Sequence, residues 1–321
     1  MSSAESESPS AKRQRIEDAE IIRSDIWKSD GSVILQAENI QFRVHWSVLA
    51  QNSSVFNDLA GLPQPSDEPT IEGCAIVELT DDAVDVEFLL KALYIPTFHS
   101  QNLLPLAAVG AIIRLSRKYD IKDLFDSAVA RLTSEFPTTL DEYDTISKDP
   151  TRFKRIEQYD GLLFDMVALA SENNILTPLP CAYYTLARRY SIAALFHGVQ
   201  HDGTLSAISG LDLSRCAAAH EKLLVKQLQP GYTLGWTRKW DFEGQCTSSR
   251  CQGIRGFALA HHLDNSWIDA LASPTALDRM GYCPSCTRHV NEAVTAGRRR
   301  IWNELPSFFD LPPWGQLRNG D

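Results

Sequence analysis

The chain has 321 residues, 44% hydrophobic and 22% charged, the composition of an ordinary globular protein long enough for two domains. Its formal charge of −10 is concentrated in residues 1–230, where 32 acidic side chains face 21 basic ones; residues 231–321 hold 9 and 10. An acidic body repels phosphate backbones and disfavours nucleic acid as a partner, and no run approaches the ~20 apolar residues of a membrane span.

The first residues, Met-Ser-Ser-Ala-Glu-Ser-Glu-Ser, lack the basic-then-apolar order of a secretory leader, so the expected location is cytoplasmic or nuclear. Residues 1–23 read as a disordered tail rich in Ser, Glu and Ala. Within it, Lys12-Arg13-Gln14-Arg15 is either a solvated charge run or a short nuclear-import signal. Order begins near Asp25. Val33, Leu35 and Ala37 alternate with their neighbours, Glu38-Asn39 makes a turn, and Ile40, Phe42 and Val44 alternate in their turn, which predicts a β-hairpin. A helix follows on Val48, Leu49, Val55, Phe56 and Leu59, interrupted by the polar Asn52-Ser53-Ser54. Three prolines between Leu62 and Pro69 predict a loop, and Ala75–Leu79 a third strand.

Helices are then predicted over Val84–Tyr94, Leu103–Tyr119 and Ile121–Phe136, closed by Pro137. Residues 24–137 therefore read as one α+β domain, a small β-sheet with helices. Residues 138–155 are polar and are expected as a linker. The stretch 156–230 reads as a helical region, with apolar patterns over Asp160–Asn173, Ala182–Phe196 and Leu211–Leu228, and 231–321 as a cysteine-containing C-terminal segment.

The segments Ser24-Asp25-Ile26-Trp27, Asp30-Gly31, Phe42-Arg43-Val44-His45, Val48-Leu49-Ala50 and Ser53-Ser54-Val55-Phe56, with the later Lys118-Tyr119-Asp120-Ile121 and Leu124, resemble the BTB/POZ domain. Ile34–Glu38 and Glu135–Glu142 resemble the fungal members of that family. The resemblance implies a non-catalytic interaction module that forms a homodimer and serves as an adaptor or scaffold. The implied second partner is a cullin scaffold or a transcriptional regulator, and a cullin would face the region Val84–Pro96 and the Ile121 helix. Phe42, Leu49 and Phe56 are expected in the core, and His45 as a buried, hydrogen-bonded structural histidine. Where dimeric relatives carry a basic residue that pairs with an acid of the first strand region, this chain has Trp46, with Asp30 or Ser32 as its counterpart. An indole there would supply apolar contact area instead of charge.

In a reducing compartment disulfides are rare, so the seven cysteines are read as metal ligands or buried thiols. Cys246-x4-Cys251 and Cys283-x2-Cys286 have spacings that can wrap a tetrahedral structural zinc; free thiols and redox exchange are the other readings. His261, His262 and His289 are candidate substitutes for one of the four. Cys74, Cys181 and Cys216 are isolated and expected to be buried. The set falls short of the eight ligands of a RING-type ligase, and no phosphate loop, nucleophile elbow or paired carboxylates suggest an enzyme. A zinc-dependent DNA-binding transcriptional regulator is the alternative function. The dense Arg298-Arg299-Arg300 run would lie on a helix from Arg288 to Leu305, and the closing aromatics would pack back on the helical region.

Overall fold

A computed structural model of the chain describes residues 20–60, 70–146, 153–239, 246, 248–265, 267–274 and 281–320. Most of the expected tail, the Lys12–Arg15 run and the proline-rich loop lie outside the described residues. The chain divides into two compact units, Met1–Arg131 and Leu132–Asp321.

The first unit is α+β. Strands β1 (Ile22–Trp27), β2 (Val33–Ala37), β3 (Ile40–Val44), β4 (Thr70–Ile71) and β5 (Cys74–Leu79) form one sheet in the order β1-β3-β2-β5-β4. The predicted hairpin is present: β2 and β3 pair antiparallel with Leu35 opposite Phe42 and Ala37 opposite Ile40. Strand β5 pairs parallel to β2, so the middle strand is flanked on both sides. Strand β1, absent from the sequence reading, pairs parallel to β3 through an irregular register between Arg23 and Trp27. That irregularity removes the clean alternation by which such a strand is recognised.

Helices α1 (Trp46–Asn52) and α2 (Ser54–Ala60) occupy the predicted helical stretch. The polar interruption is a true break. Ser53 adopts an extended conformation, and its buried hydroxyl donates to the carbonyl of Tyr119 and accepts from the Phe56 amide at 3.1 Å. One side chain thus starts α2 and fixes it against the end of a distant helix. Helix α3 (Ala83–Tyr94) opens with Asp82, whose carboxylate accepts from the amides of Val84 and Asp85 at 2.8 and 3.2 Å. Pro96 ends it and begins the single turn α4 (Pro96–His99). Helices α5 (Leu106–Lys118) and α6 (Lys122–Thr133) follow. Val33, Leu35, Phe42, Leu49, Phe56, Leu89, Leu90, Leu115 and Ile121 form one continuous core.

The second unit is mostly helical. The polar stretch expected as a linker folds in its first half into α7 (Leu140–Ile146), because Thr139 and Glu142 cap it reciprocally: Glu142 accepts from the Thr139 amide at 3.1 Å and its own amide donates to the Thr139 hydroxyl at 3.3 Å. Helices α8 (Leu162–Glu172) and α9 (Leu179–Arg189) match the expected apolar stretches; the latter gives way at Ser191, whose side chain caps α10 (Ile192–His197). A hairpin of β6 (Val199–His201) and β7 (Thr204–Ser206) turns on Asp202-Gly203, both at positive φ. That dipeptide is the standard signal for such a turn, yet the hairpin goes unpredicted because the whole stretch 156–230 reads as helical. Helix α11 (Gly210–Lys226) precedes a 3-10 turn at Gly235–Thr237, then α12 (Ser249–Asn265) and the 25-residue α13 (Pro284–Phe308). Gly297 of α13 lies so close to the backbone of Tyr232 and Thr233 that a Cβ would fall 2.3 Å from it.

Asp212, fully buried, ties three helices of this unit together. It accepts hydrogen bonds from Ser171 of α8 at 2.8 Å, from Tyr183 of α9, and from Ser209 at the start of α11 at 2.6 Å. The closing segment packs back as expected: Trp314 stacks on Trp302 with centroids 5.2 Å apart, and Phe309 lies against Tyr183. Replacing Asp212 by Ala strands the buried Tyr183 hydroxyl and breaks the bonds from half-buried Ser171 and exposed Ser209. It is expected to cost about 3 kcal/mol, whereas Tyr183→Phe removes one bond and costs about 1 kcal/mol. Urea unfolding of both variants beside the unchanged chain measures the difference; equal losses would show that Asp212 is not the hub.

Candidate functional site

Two places in the molecule gather the residues singled out by sequence. The first lies where β3 runs into α1. His45 caps α1 in an extended conformation, with Nε2 3.0 Å from Asp30 and Nδ1 3.4 Å from the Tyr94 hydroxyl. Its amide donates to that same hydroxyl at 2.8 Å, and the two rings stack at 5.9 Å. His45 is therefore a hydrogen-bonded joint between the β1–β2 loop, α1 and the end of α3. It is not buried as expected, since 27% of its side chain is exposed, and the Asp30 side chain is 82% exposed. A hydrogen bond from the backbone of Asp30 itself, then His45, holds the Asp30 carboxyl below its ordinary range. Burial raises the Tyr94 hydroxyl above its ordinary pKa, so it is neutral at physiological pH.

Trp46 sits beside this joint. Its amide donates to Ser32 Oγ at 2.9 Å and its ring meets Phe56 edge-on at 6.3 Å. Asp30 thus pairs with His45, and Ser32 with the backbone of Trp46. Phe42, Leu49 and Phe56 are core, with Phe56 stacked on Tyr119 at 4.7 Å. Further along the surface, Asn52, Leu93, Ile121 and Leu124 line a shallow groove between α1, α3 and the α5–α6 turn.

The second place is in the second unit. The sulfurs of Cys246, Cys251, Cys283 and Cys286 all lie within 4.8 Å of one another. Cys251 is in the first turn of α12, Cys283 caps α13, and Cys286 follows in the first turn of α13 behind Pro284. Cys246 and Cys283 are half-exposed; Cys251 and Cys286 are buried. The sulfurs of Cys246 and Cys283 are 3.8 Å apart. A zinc–thiolate tetrahedron with bonds of ~2.3 Å has edges of about 3.8 Å, so the four residues fit a metal of that size. Together they can hold a metal ion with sulfur at every position. The three candidate histidines are not members of this group: His261 stacks on Phe257 and meets Trp267 edge-on, and His262 faces Asp269 at 3.8 Å. The backbone N–H of Cys286, followed by its side chain, lowers the Cys283 thiol to about 7, while burial raises Cys286.

The isolated Cys74, Cys181 and Cys216 are buried as expected, and burial pushes the last two up to about 12. The arginine run does lie on a helix, and two of its members are committed within the unit. Arg298 is buried and makes a bidentate pair with Asp144, and Arg300 lies over the Tyr232 ring at 4.3 Å and pairs with Glu304 at 3.1 Å. Sequence reasoning missed α12 altogether, because Gly253 and Gly256 and scattered apolar residues blur its pattern.

The BTB/POZ domain family model matches residues 29–135, and the first unit carries that domain. No curated protein matches the chain. Among the described residues, no helix is long and apolar enough to cross a membrane.

In the metal-free chain, Cys283 becomes thiolate as pH rises through about 7, while Cys286 stays a thiol. Iodoacetamide labelling followed by peptide mapping is expected to modify Cys283 first, at a rate that climbs between pH 6 and pH 8, on the order of tenfold per unit below the pKa. Equal labelling of both residues at pH 7 would contradict the assignment.

Proposed function

We propose that the chain is a non-catalytic protein–protein interaction module that forms a homodimer through residues 24–137 and acts as an adaptor or scaffold. The BTB/POZ match over 29–135 carries this reading. A physical feature of the first unit supports it: β1 is an edge strand, and Ile21 and Ile22 beside its start are 46% and 53% exposed. An open edge with exposed apolar residues favours pairing with another chain. The half-buried indole of Trp46 supplies further contact area.

A cullin scaffold or a transcriptional regulator is the second partner we assign, and the groove at Leu93, Ile121 and Leu124 falls within the region expected to meet a cullin. The likeness of Ile34–Glu38 and Glu135–Glu142 to fungal BTB proteins supports a place in that group, acting in the cytoplasm or nucleus. We take 138–155 as the join to a helical region, 156–230, and a C-terminal segment, 231–321, with a structural zinc at its four cysteines. The alternative, DNA reading by that segment, has less support, because Arg298 and Arg300 are engaged within the fold.

Light scattering of the full chain at tens of micromolar is expected to give twice the 35.9 kDa chain mass; a monomer would overturn the proposal. Ile22→Lys places a charge on the exposed edge and is expected to weaken the dimer at least tenfold, about 1.4 kcal/mol, without lowering the melting temperature.

A further inference from the structure

Helix α12 has 17 residues, yet only Cys251 and Ala258 of it are buried. Phe257 and Leu263 are 70% and 55% exposed. Gly253 and Gly256 lie in its interior, where each weakens a helix relative to alanine. A helix of this length and composition is marginal in water by itself and must be held by tertiary contacts. Its one fully buried apolar side chain besides Cys251 is the small Ala258, packed against Trp236, Val290 and Val294, while Ile254 and Leu259 are half-buried. The other anchor is Cys251, within the four-sulfur cluster.

We infer that one zinc ion held by Cys246, Cys251, Cys283 and Cys286 is the fastening that keeps α12 folded and docked at the start of α13; this rests on reading the four sulfurs as one metal site. The geometry clamps two helix starts together, one cysteine in the first turn of each. Both helices turn their positive ends toward the cluster, which suits a zinc–tetrathiolate group of net charge −2. Arg250 supplies a compensating charge nearby: its guanidinium lies 2.9 Å from the place a Cβ on Gly281 would take, two residues before Cys283. The cluster is not a disulfide pair, since all four cysteines are free and the Cys246–Cys283 sulfurs are 3.8 Å apart. Sulfur at all four positions leaves none open for water, so the ion is a structural cross-link and not a reaction centre. It reinforces a thin apolar stripe, Cys251, Ile254, Ala258 and Leu259, of which Ile254 and Leu259 are only half-buried. The metal thereby governs whether the exposed face of Phe257 and Leu263 exists as a surface.

The test uses the full chain. Elemental analysis is expected to find one zinc per chain. Stripping with a chelator is expected to expose four thiols to Ellman's reagent and to raise tryptic cleavage after Arg250 and Arg255 at least tenfold. Cleavage after Arg188 should stay unchanged, and added zinc should restore protection. Failure of the chain to take up zinc on reconstitution would overturn the site and the inference together. Zinc bound, but cleavage unchanged on stripping, would leave the site standing and overturn the fastening role; iron in place of zinc would overturn the metal assigned. Because Cys286→Ser removes a buried side chain, the half-exposed Cys246→Ser serves as the variant. It should weaken zinc binding at least a hundredfold and release α12; unaltered affinity would overturn the four-ligand site. The chain mass by light scattering, read on the same samples, reports on the dimer independently.

Discussion

Strand β2 has neighbours on both sides and is buried at every residue except Gln36. Hydrogen bonds run from it to β3 on one side and β5 on the other, so neither edge meets water. Side chains alternate between the two faces of a strand, so Val33, Leu35 and Ala37 point into the main core together. Their pairing with Val44, Phe42 and Ile40 then fixes the place of every core residue on β3. A slip of one residue would turn that whole set out of the core, which is why the register is unique. The short Glu38-Asn39 turn, with Glu38 at positive φ, sets it.

From this strand the rest of the first unit follows in steps. Strand β3 delivers the chain to His45, whose contacts to Asp30 and Tyr94 aim α1 across the sheet. Ser53 then stops α1 and restarts the helix as α2, joining it to the end of α5. Lys118 and Tyr119 close the same corner on Asp81. Polar groups here serve as joints between elements.

The second unit solves the same problem with different means. Around Asp212 and the buried Arg298–Asp144 pair, helices are joined by hydrogen bonds that pay off only when every partner is in place. Toward α12 the apolar core thins to Trp236, Ala258, Val290 and Val294. There the four clustered sulfurs stand where apolar packing is thin.

Much of this was written in local patterns. The alternation of Val33–Ala37 and Ile40–Val44, the apolar periods of α3, α5 and α8, and the paired spacing of the four cysteines each depend on neighbours in sequence, and each is present in the structure. Strand β1 and helix α12 were decided elsewhere, as was the docking of the Ser53 break. Helix α7, by contrast, carried a local signal, the Thr139 and Glu142 cap, in a stretch whose polar composition reads as a linker. Strand β1 exists because β3 offers it an edge, and α1 ends because a serine hydroxyl finds a carbonyl 66 residues away. The meeting of Cys246 and Cys251 with Cys283 and Cys286 belongs to both levels. Sequence supplied two pairs of soft ligands, and only the folded arrangement of α12 against α13 brought four sulfurs within bonding reach of one ion. Contacts distant along the chain depend on the sum of all packing, which no short window of residues contains.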